Sequence, residues 1–273
     1  MSAKTYFIKD GYVHRSVNVT LEAEPAAYWN RLRIHTGSYF QQAVYRYAAA
    51  LVERRSLSSV LDVGCGVGHK LARHIRPVAD RVVGIDQPTC IEVARRKFRD
   101  LEFASADLDE AVESGLGTFD LIIAADVIEH LAEPDALLRL LDVHSHPDTW
   151  VVLSTPERDV LRGEENLQSP KREHLREWNH DELLAYLVAS GFRVVEHRLV
   201  PAYRIGLSPV MWMYRIRDYL QRVPLAHCQM VTCRKDDRGA TAEPDPNATN
   251  QSTSTPDDQV PEKREPKQED RDQ

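Results

Sequence analysis

The chain has 273 residues, 42% of them hydrophobic, and a formal net charge of −7. Its length allows one large or two small domains with a substantial core. No apolar run is long enough to cross a membrane and no signal core is visible, which predicts a soluble cytoplasmic protein. The four cysteines form no C-x-x-C pair, so neither a disulfide framework nor a zinc site is indicated.

The acidic charge is concentrated at the end of the chain. From residue 236 onward there are 11 acidic and 5 basic residues, which leaves the preceding part nearly neutral. A neutral body without a basic block argues against a nucleic-acid substrate. The final segment, 236–273, has five prolines and no aromatic residue, and we expect it to be a disordered acidic tail.

The first 55 residues are expected to form a lead-in followed by a cap helix. Apolar residues recur at helical spacing from Phe40 to Val52, and Ser38 is a candidate N-cap. This helix covers one edge of the sheet or, alternatively, forms a lid over a ligand.

Strands and helices then alternate. Strands are expected at residues 60–64, 81–86, 101–106, 119–124, 150–155, 192–200 and 227–233. Helices are expected at residues 69–76, 88–98, 108–114, 134–143, 179–190 and 208–222. A charged loop is expected at residues 156–178, and Asn179 with Glu182 is a candidate capping box for the helix that follows it. This order predicts an α/β, Rossmann-like, doubly wound and mostly parallel sheet with helices on both faces, in a domain spanning 56–235 with an insertion at 201–226.

A glycine-rich turn follows the first strand. Gly64, Gly66 and Gly68 alternate with other residues where the strand gives way to a helix, which exposes backbone N–H groups to a ligand. The dinucleotide fingerprint G-x-G-x-x-G would need its third glycine at His69, so the spacing disfavours a nicotinamide cofactor.

Acidic residues follow the next two strands. Asp86 and Asp107 would lie at the carboxyl edge of a parallel sheet, where ligands of open α/β folds bind. The alternative is that each aspartate caps the helix that follows it.

These segments, together with the stretch FDLIIAADVIEHLAEP, resemble the ordered motifs of class I S-adenosylmethionine-dependent methyltransferases, in their type 11 or ubiquinone-biosynthesis-like branch. The resemblance covers about residues 55–200 and implies that the last of seven strands is antiparallel. It also implies S-adenosyl-L-methionine as cofactor, held by Asp62, Gly64, Cys65, Gly66, Gly68, Asp86, Gln87, Asp107, Leu108 and Ala124.

Methyl transfer to a hydroxyl benefits from a base that removes the proton. His130 is the first candidate and His174 the second, although His130 could serve the local fold. Beside His174, Arg176 and Glu177 could form an ordinary surface ion pair. In some O-methyltransferases an acid after the fourth strand and a later acid pair bind magnesium. By this resemblance Asp126 has the first position, but no convincing later pair is present, so no metal site is predicted.

The insertion places Trp212, Ile216, Tyr219 and Val223 at helical spacing. Packing is the favoured interpretation over a substrate wall, and a homodimer face or a membrane contact is also open. The predicted function is transfer of a methyl group to a small-molecule or saccharide-type acceptor, at oxygen, with nitrogen and carbon open. The alternatives are a non-catalytic cofactor-binding scaffold and, with less support, a nicotinamide-dependent oxidoreductase.

Overall fold

The computed structural model describes residues 6–16, 37–110, 115–206 and 208–236. The strands are β1 Ser59–Val63, β2 Arg81–Asp86, β3 Glu102–Ser105, β4 Phe119–Ala125, β5 Ser145–Pro156, β6 Phe192–Pro201 and β7 Ala226–Lys235. They form one sheet in the order β3-β2-β1-β4-β5-β7-β6. β7 runs antiparallel to both of its neighbours, β5 and β6. The pairings among the other strands, β1 to β5, are all parallel. The expected doubly wound fold with an antiparallel last strand is confirmed.

The α-helices are α1 Gln42–Arg55, α2 Pro88–Lys97, α3 Pro134–Val143, α4 Arg158–Arg162, α5 His180–Ala189 and α6 Pro209–Leu220. A π-helix, Leu71–Ile75, lies within the helix predicted after β1, and a 3₁₀ helix, Ile128–His130, follows β4. α2, α3 and α6 have proline in the first turn. Proline is tolerated there because the N–H groups of the first turn have no acceptor within the helix. The side chains of Asn179 and Glu182 form the predicted capping box at the start of α5.

The sheet is buried on both faces, as expected for strands covered by crossover helices. Leu61 and Val63 belong to a core cluster that includes Leu137 of α3 and Leu183 of α5. Val60 belongs to a second cluster with Val44 of α1 and Ile91 of α2. Because successive side chains of a strand point to opposite faces, the two layers are separated by the sheet itself.

Three local expectations were wrong. α1 begins at Gln42 after Gln41, so Ser38 does not cap it; the Ser38 carbonyl instead accepts a hydrogen bond from the Gln42 side chain. β5 begins at Ser145, five residues before the predicted start, because a register shift against β4 adds an irregular extension. The charged stretch after β5 contains the short helix α4, which is capped by the Glu157 side chain.

Some expectations concern residues outside the described ranges. Most of the expected lead-in, part of the predicted helix 108–114, and the tail after Asp236 fall there. None of the helices within the described ranges has the length and apolar character that a bilayer crossing requires.

Candidate active site

A cavity of about 810 Å³ opens at the carboxyl edge of the sheet. Its wall runs from the glycine turn after β1, past Asp86 after β2, to the segment after β4 and the loop after β5. Residues of α6 line the same cavity. The edge at which parallel strands end is therefore also the edge where the polar residues singled out from the sequence gather.

The glycine turn is shaped by positive backbone angles and by close neighbours. Gly64 has φ +75°, and a Cβ there would collide with the Val127 side chain. The Gly66 N–H and the Gln87 N–H each donate to one carboxylate oxygen of Asp86, both at 2.7 Å. Burial raises the pKa of Asp86, and these two backbone N–H groups act against that rise. Asp86 thus ties the turn after β1 to the end of β2.

Most of the predicted cofactor residues lie on the cavity wall. They are Gly64, Cys65, Gly66, Asp86, Gln87, Asp107 and Leu108. The Asp107 side chain also accepts the N–H of Asp109 at 3.0 Å and so caps a turn, whereas the alternative for this residue was a helix cap. Since each carboxylate oxygen has a second lone pair, both roles are compatible.

Three predicted cofactor residues do not reach the wall. Asp62 is fully buried and accepts hydrogen bonds from the Tyr45 hydroxyl at 2.8 and 3.0 Å. Gly68 makes room for Phe103, whose ring would lie 2.8 Å from an added Cβ. Ala124 is buried within β4, and its neighbour Ala125 lines the cavity instead. The structure gives these residues supporting positions behind the wall.

A polar chain that sequence reasoning missed crosses the cavity near the glycine turn. The side-chain NH₂ of Gln41 donates to the Asp126 carboxylate at 2.8 Å. The Lys70 ammonium donates to the side-chain carbonyl oxygen of Gln41. Ser154 of β5 donates to the other oxygen of Asp126 at 2.7 Å. Gln41 and Asp126 have positive φ angles of 55° and 54°. Asp126 was visible as a residue following β4, but nothing in the sequence connects Gln41 and Lys70 to it.

His130 and His174 meet on the cavity wall, with ring centroids 4.8 Å apart at 90°. Nδ1 of His130 donates to the Glu173 carbonyl at 2.7 Å, and Nδ1 of His174 donates to the Glu177 carboxylate at 2.6 Å. Nε2 is therefore the unprotonated atom of each neutral ring. Burial lowers the pKa of His130 to about 3 and also lowers that of His174, where the Glu177 hydrogen bond acts in the opposite direction.

Glu177 is the centre of a buried polar network beneath His174. Its side chain is fully buried and also accepts from Arg162 at 3.1 and 3.2 Å and from Ser169 at 2.8 Å. Burial alone would raise the pKa of Glu177, but the His174 and Arg162 hydrogen bonds outweigh it and hold the pKa below its usual range. The alternative of a surface Arg176–Glu177 pair was wrong, because both residues are buried and Arg176 bonds the Leu131 and Ala132 carbonyls.

The loop that carries His174 is held by the segment 6–16. The Arg15 guanidinium donates to the carbonyls of Ser169, Lys171 and His174 at 2.8 to 2.9 Å. The Tyr12 hydroxyl accepts the Glu177 N–H at 3.0 Å. These contacts join parts of the chain more than 150 residues apart, and no local pattern could have predicted them.

Three side chains could together hold a divalent cation, although the sequence analysis named no metal site. Glu129, His130 and His174 each offer a ligand atom, and these atoms lie within 4.8 Å of one another. Oε2 of Glu129 accepts from Thr155 at 3.0 Å, while Oε1 is buried without a hydrogen-bond partner among the described residues. Both histidines have the Nδ1 contacts that orient metal-binding imidazoles, so the donor set fits an ion such as Zn²⁺ or Mn²⁺.

The comparisons with known proteins identify the family of the chain. A family model for the methyltransferase domain matches residues 33–197, which is more than half of the chain. The chain therefore belongs to this family and is a class I S-adenosylmethionine-dependent methyltransferase with S-adenosylmethionine as cofactor.

Among individual proteins, it is 30% identical over 158 residues to a probable S-adenosylmethionine-dependent methyltransferase of Mycobacterium tuberculosis, covering 55% of this chain and 53% of that one. It is 31% identical over 102 residues to the ubiquinone biosynthesis O-methyltransferase of Neisseria meningitidis, covering 35% and 43%. The chain thus spans about half the length of the curated relatives it matches.

The crystal structure of the [4+2]-cyclase SpnF has the same fold, with a TM-score of 0.60 at 18% identity over 83% of this chain and 99% of the other. Because a protein named for a cyclisation shares the architecture, the fold by itself does not define the reaction.

Proposed function

We propose that the chain transfers the methyl group of S-adenosylmethionine to an oxygen atom of a small-molecule or saccharide-type acceptor. The observation that carries this proposal is the cavity shared by the glycine turn, Asp86 and the His130–His174 pair. The cofactor-binding motifs and two imidazoles lie on one wall, which is the arrangement that a direct displacement between bound partners requires.

The cofactor is assigned to the half of the cavity formed after β1, β2 and β3. The glycine turn lies against the methionine part through its backbone surface, and Asp86 accepts the ribose hydroxyls. The expectation that the N–H groups of the glycines are open to a ligand was wrong, because those of Gly64, Gly66 and Gly68 donate to Ile85, Asp86 and Cys65 within the protein. Asp107 and Leu108 hold the adenine. This assignment uses residues that the structure brings to the wall, and it leaves Asp62, Gly68 and Ala124 as supports for that wall.

The acceptor is assigned to the half that contains the two histidines. His174 is the better candidate for the base, which reverses the order expected from the sequence. A carboxylate on Nδ1 holds a ring in one tautomer and stabilises the imidazolium formed by proton uptake. His174 has such a partner in Glu177, whereas His130 bonds a neutral carbonyl. His130 then orients the acceptor.

The same two histidines could instead hold a cation together with Glu129. A bound divalent ion would supply a positive charge that lowers the pKa of a coordinated hydroxyl. In that case His130, His174 and Glu129 hold the ion, and Glu177 and the Glu173 carbonyl keep the rings in place.

The preference for oxygen rests on the presence of a group that can take up a proton and on the likeness to a ubiquinone biosynthesis O-methyltransferase. A non-catalytic scaffold that binds the cofactor is the rival. The methyltransferase family assignment disfavours a nicotinamide-dependent oxidoreductase.

The test is transfer of labelled methyl from S-adenosylmethionine into a panel of phenols, catechols and saccharides by the full chain. His174→Asn should reduce turnover by ~10²-fold or more with S-adenosylhomocysteine affinity unchanged, the scale of a lost proton acceptor. His180→Asn is the matched control and should retain activity, because this half-exposed histidine of α5 does not line the cavity.

Chelation separates the two roles of the histidines. If treatment with a chelator abolishes transfer and a divalent ion restores it, the Glu129 set acts as a metal site. If transfer survives chelation, His174 acts as the base. Absence of label in every acceptor and in a cell extract would contradict the proposal and favour the scaffold.

A further inference from the structure

Helix α6 exposes large apolar side chains on the outside of the molecule. Trp212, Met213, Ile216, Tyr219 and Leu220 are between 53% and 75% exposed. At 100° per residue they share an arc of about 120° on one side of the helix. The prediction that Trp212, Ile216 and Tyr219 pack inward was therefore wrong, and a continuous apolar surface, here called the α6 face, is left uncovered within the described part of the chain.

Arginines accompany the α6 face. Between residues 197 and 235 there are seven Lys or Arg residues and one acid, but Arg198, Arg234 and Lys235 pair with acids outside this stretch. Arg217 pairs with the buried Asp218 at 2.7 Å, whereas Arg215 and Arg222 form no ion pair among the described residues. Arg215 and Arg217 border the apolar arc on its two sides, and Arg222 follows the end of the helix.

We propose that the α6 face docks on the surface of an anionic lipid bilayer. An amphipathic helix with aromatic and aliphatic residues on one face and arginines at its borders lies in the plane of the membrane interface. The apolar side chains would enter the acyl boundary, and the arginines would meet lipid phosphates. Arginine stems can lie along apolar surface while their charged ends stay in the headgroup layer.

A second copy of this chain fits the α6 face less well than anionic lipid does. A symmetric dimer through this face would place the arginine borders of one copy near those of the other, and like charges oppose such pairing. Phospholipid headgroups supply the opposite charge along the whole border.

The position of α6 connects this surface to the site. Val210, Tyr214, Asp218 and Gln221, on the same helix, line the cavity. A chain docked through α6 therefore holds its cavity next to the lipid headgroups. Resting on the proposed function, this placement assigns the acceptor to the class of amphiphiles whose hydroxyl-bearing head reaches the cavity while an apolar tail stays in the bilayer.

The test is co-sedimentation of the full chain with vesicles of phosphatidylcholine, with and without roughly one-third phosphatidylglycerol. We expect pelleting with the anionic vesicles that weakens as salt rises, because the arginine contribution is screened. The variant Ile216→Glu/Leu220→Glu should lower the partition coefficient about tenfold or more, since it removes apolar insertion and adds repulsion.

Val143→Glu/Val160→Glu is the matched control. It adds the same charge at two exposed apolar positions on α3 and α4, and it should pellet like the unchanged chain. Arg215→Gln/Arg222→Gln should reduce binding to anionic vesicles and flatten its salt dependence. Melting temperatures check that each variant is folded.

Equal pelleting of the Ile216→Glu/Leu220→Glu variant and the control would overturn the proposal. So would a concentration-dependent dimer that this variant abolishes without any vesicle binding. S-adenosylhomocysteine affinity is measured in parallel: a chain that binds this compound but not vesicles refutes the membrane proposal alone, and the reverse result refutes the proposed function alone.

Discussion

The proposed cofactor half and the proposed acceptor half of the cavity are built in different ways. The cofactor half consists of short segments that directly follow β1, β2 and β3, and its main contacts join neighbouring strand ends, such as Gly66 to Asp86. The acceptor half depends on contacts between distant parts of the chain, such as Arg15 to the loop before His174. It also contains buried charged residues, of which Glu177 is the centre.

The cofactor half therefore follows from the fold itself, whereas the acceptor half depends on residues that this fold does not require. A parallel strand, a tight turn and an acid at the next strand end produce the first half in any sheet of this kind. The second half needs a satisfied network, because buried charges without partners are strongly unfavourable. Variants in the two halves should therefore fail in different ways.

The largest effect is expected from Glu177→Gln in the acceptor half. The change removes the charge that pairs with His174 and Arg162 inside the protein, and breaking a buried pair costs about 3–5 kcal/mol of unfolding free energy. Urea denaturation measures this. Glu165→Gln, at an exposed position, is the control. A Glu177 variant as stable as that control would contradict the network's structural role.

In the cofactor half, Asp86→Asn should leave stability comparatively less affected and weaken S-adenosylhomocysteine binding. Because charge-assisted hydrogen bonds to the ribose are lost, we expect the binding free energy to weaken by about 1.5–3 kcal/mol, as measured by calorimetry. Asp148→Asn, at an exposed position, should bind normally. Unchanged affinity of the Asp86 variant would remove this residue from the proposed ribose site.

A somewhat smaller effect is expected behind the cofactor half. Tyr45→Phe removes the hydroxyl that donates to the buried Asp62. This should lower the free energy of unfolding by about 1–3 kcal/mol when Asp62 is ionised. Burial raises the pKa of Asp62 from 3.8 to about 7, against the opposing effects of Tyr45 and Lys70. The deficit of the variant should thus be largest above pH 7 and shrink below it. A deficit that is constant with pH would contradict this.

The pH dependence of the unchanged chain has a definite sign. Between pH 3.8 and about 7 the folded state keeps the Asp62 proton that the unfolded state has lost. The Asp62 contribution to stability therefore falls as pH rises through this range. The slope of unfolding free energy against pH, compared with that of Asp62→Asn, isolates this contribution.

The smallest effect is expected outside both halves. Deleting residues 241–273 should leave the melting temperature nearly unchanged, because the sequence of this tail has too few apolar residues to bury. A large drop in melting temperature would show that the tail belongs to the folded domain.

Local patterns were sufficient for the order of strands and helices, whereas the antiparallel last strand and the proposed cofactor residues were implied by the family resemblance. Hydrophobic runs, prolines in first turns and the Asn179 capping box place the elements within a few residues. Alternating strands and helices then bring Asp86 and the glycine turn together without further information.

Long-range contacts explain what the sequence did not reveal. The charged stretch around Arg158 was expected to be a loop, yet Arg158 is fully buried against Glu182, 24 residues further on. Gln41 reaches Asp126 from the start of α1, and the α6 residues point outward although their spacing suits packing. A hydropathy pattern does not reveal such residues. A buried charge is stabilised by its hydrogen-bond and ion-pair partners, and the pattern does not show where those partners are.

The place of β7 between β5 and β6 has a consequence for how the molecule is assembled during synthesis. β6 pairs with β7, and β7 is synthesised after the other six strands of the described sheet. Until residue 235 has left the ribosome, β6 lacks its neighbour and β5 presents an open edge, a state that invites pairing with other chains. A premature stop before Ala226 would remove few residues of the proposed site. It would nevertheless leave the edges of β5 and β6 unpaired, and such edges need chaperones to keep them from pairing with other chains.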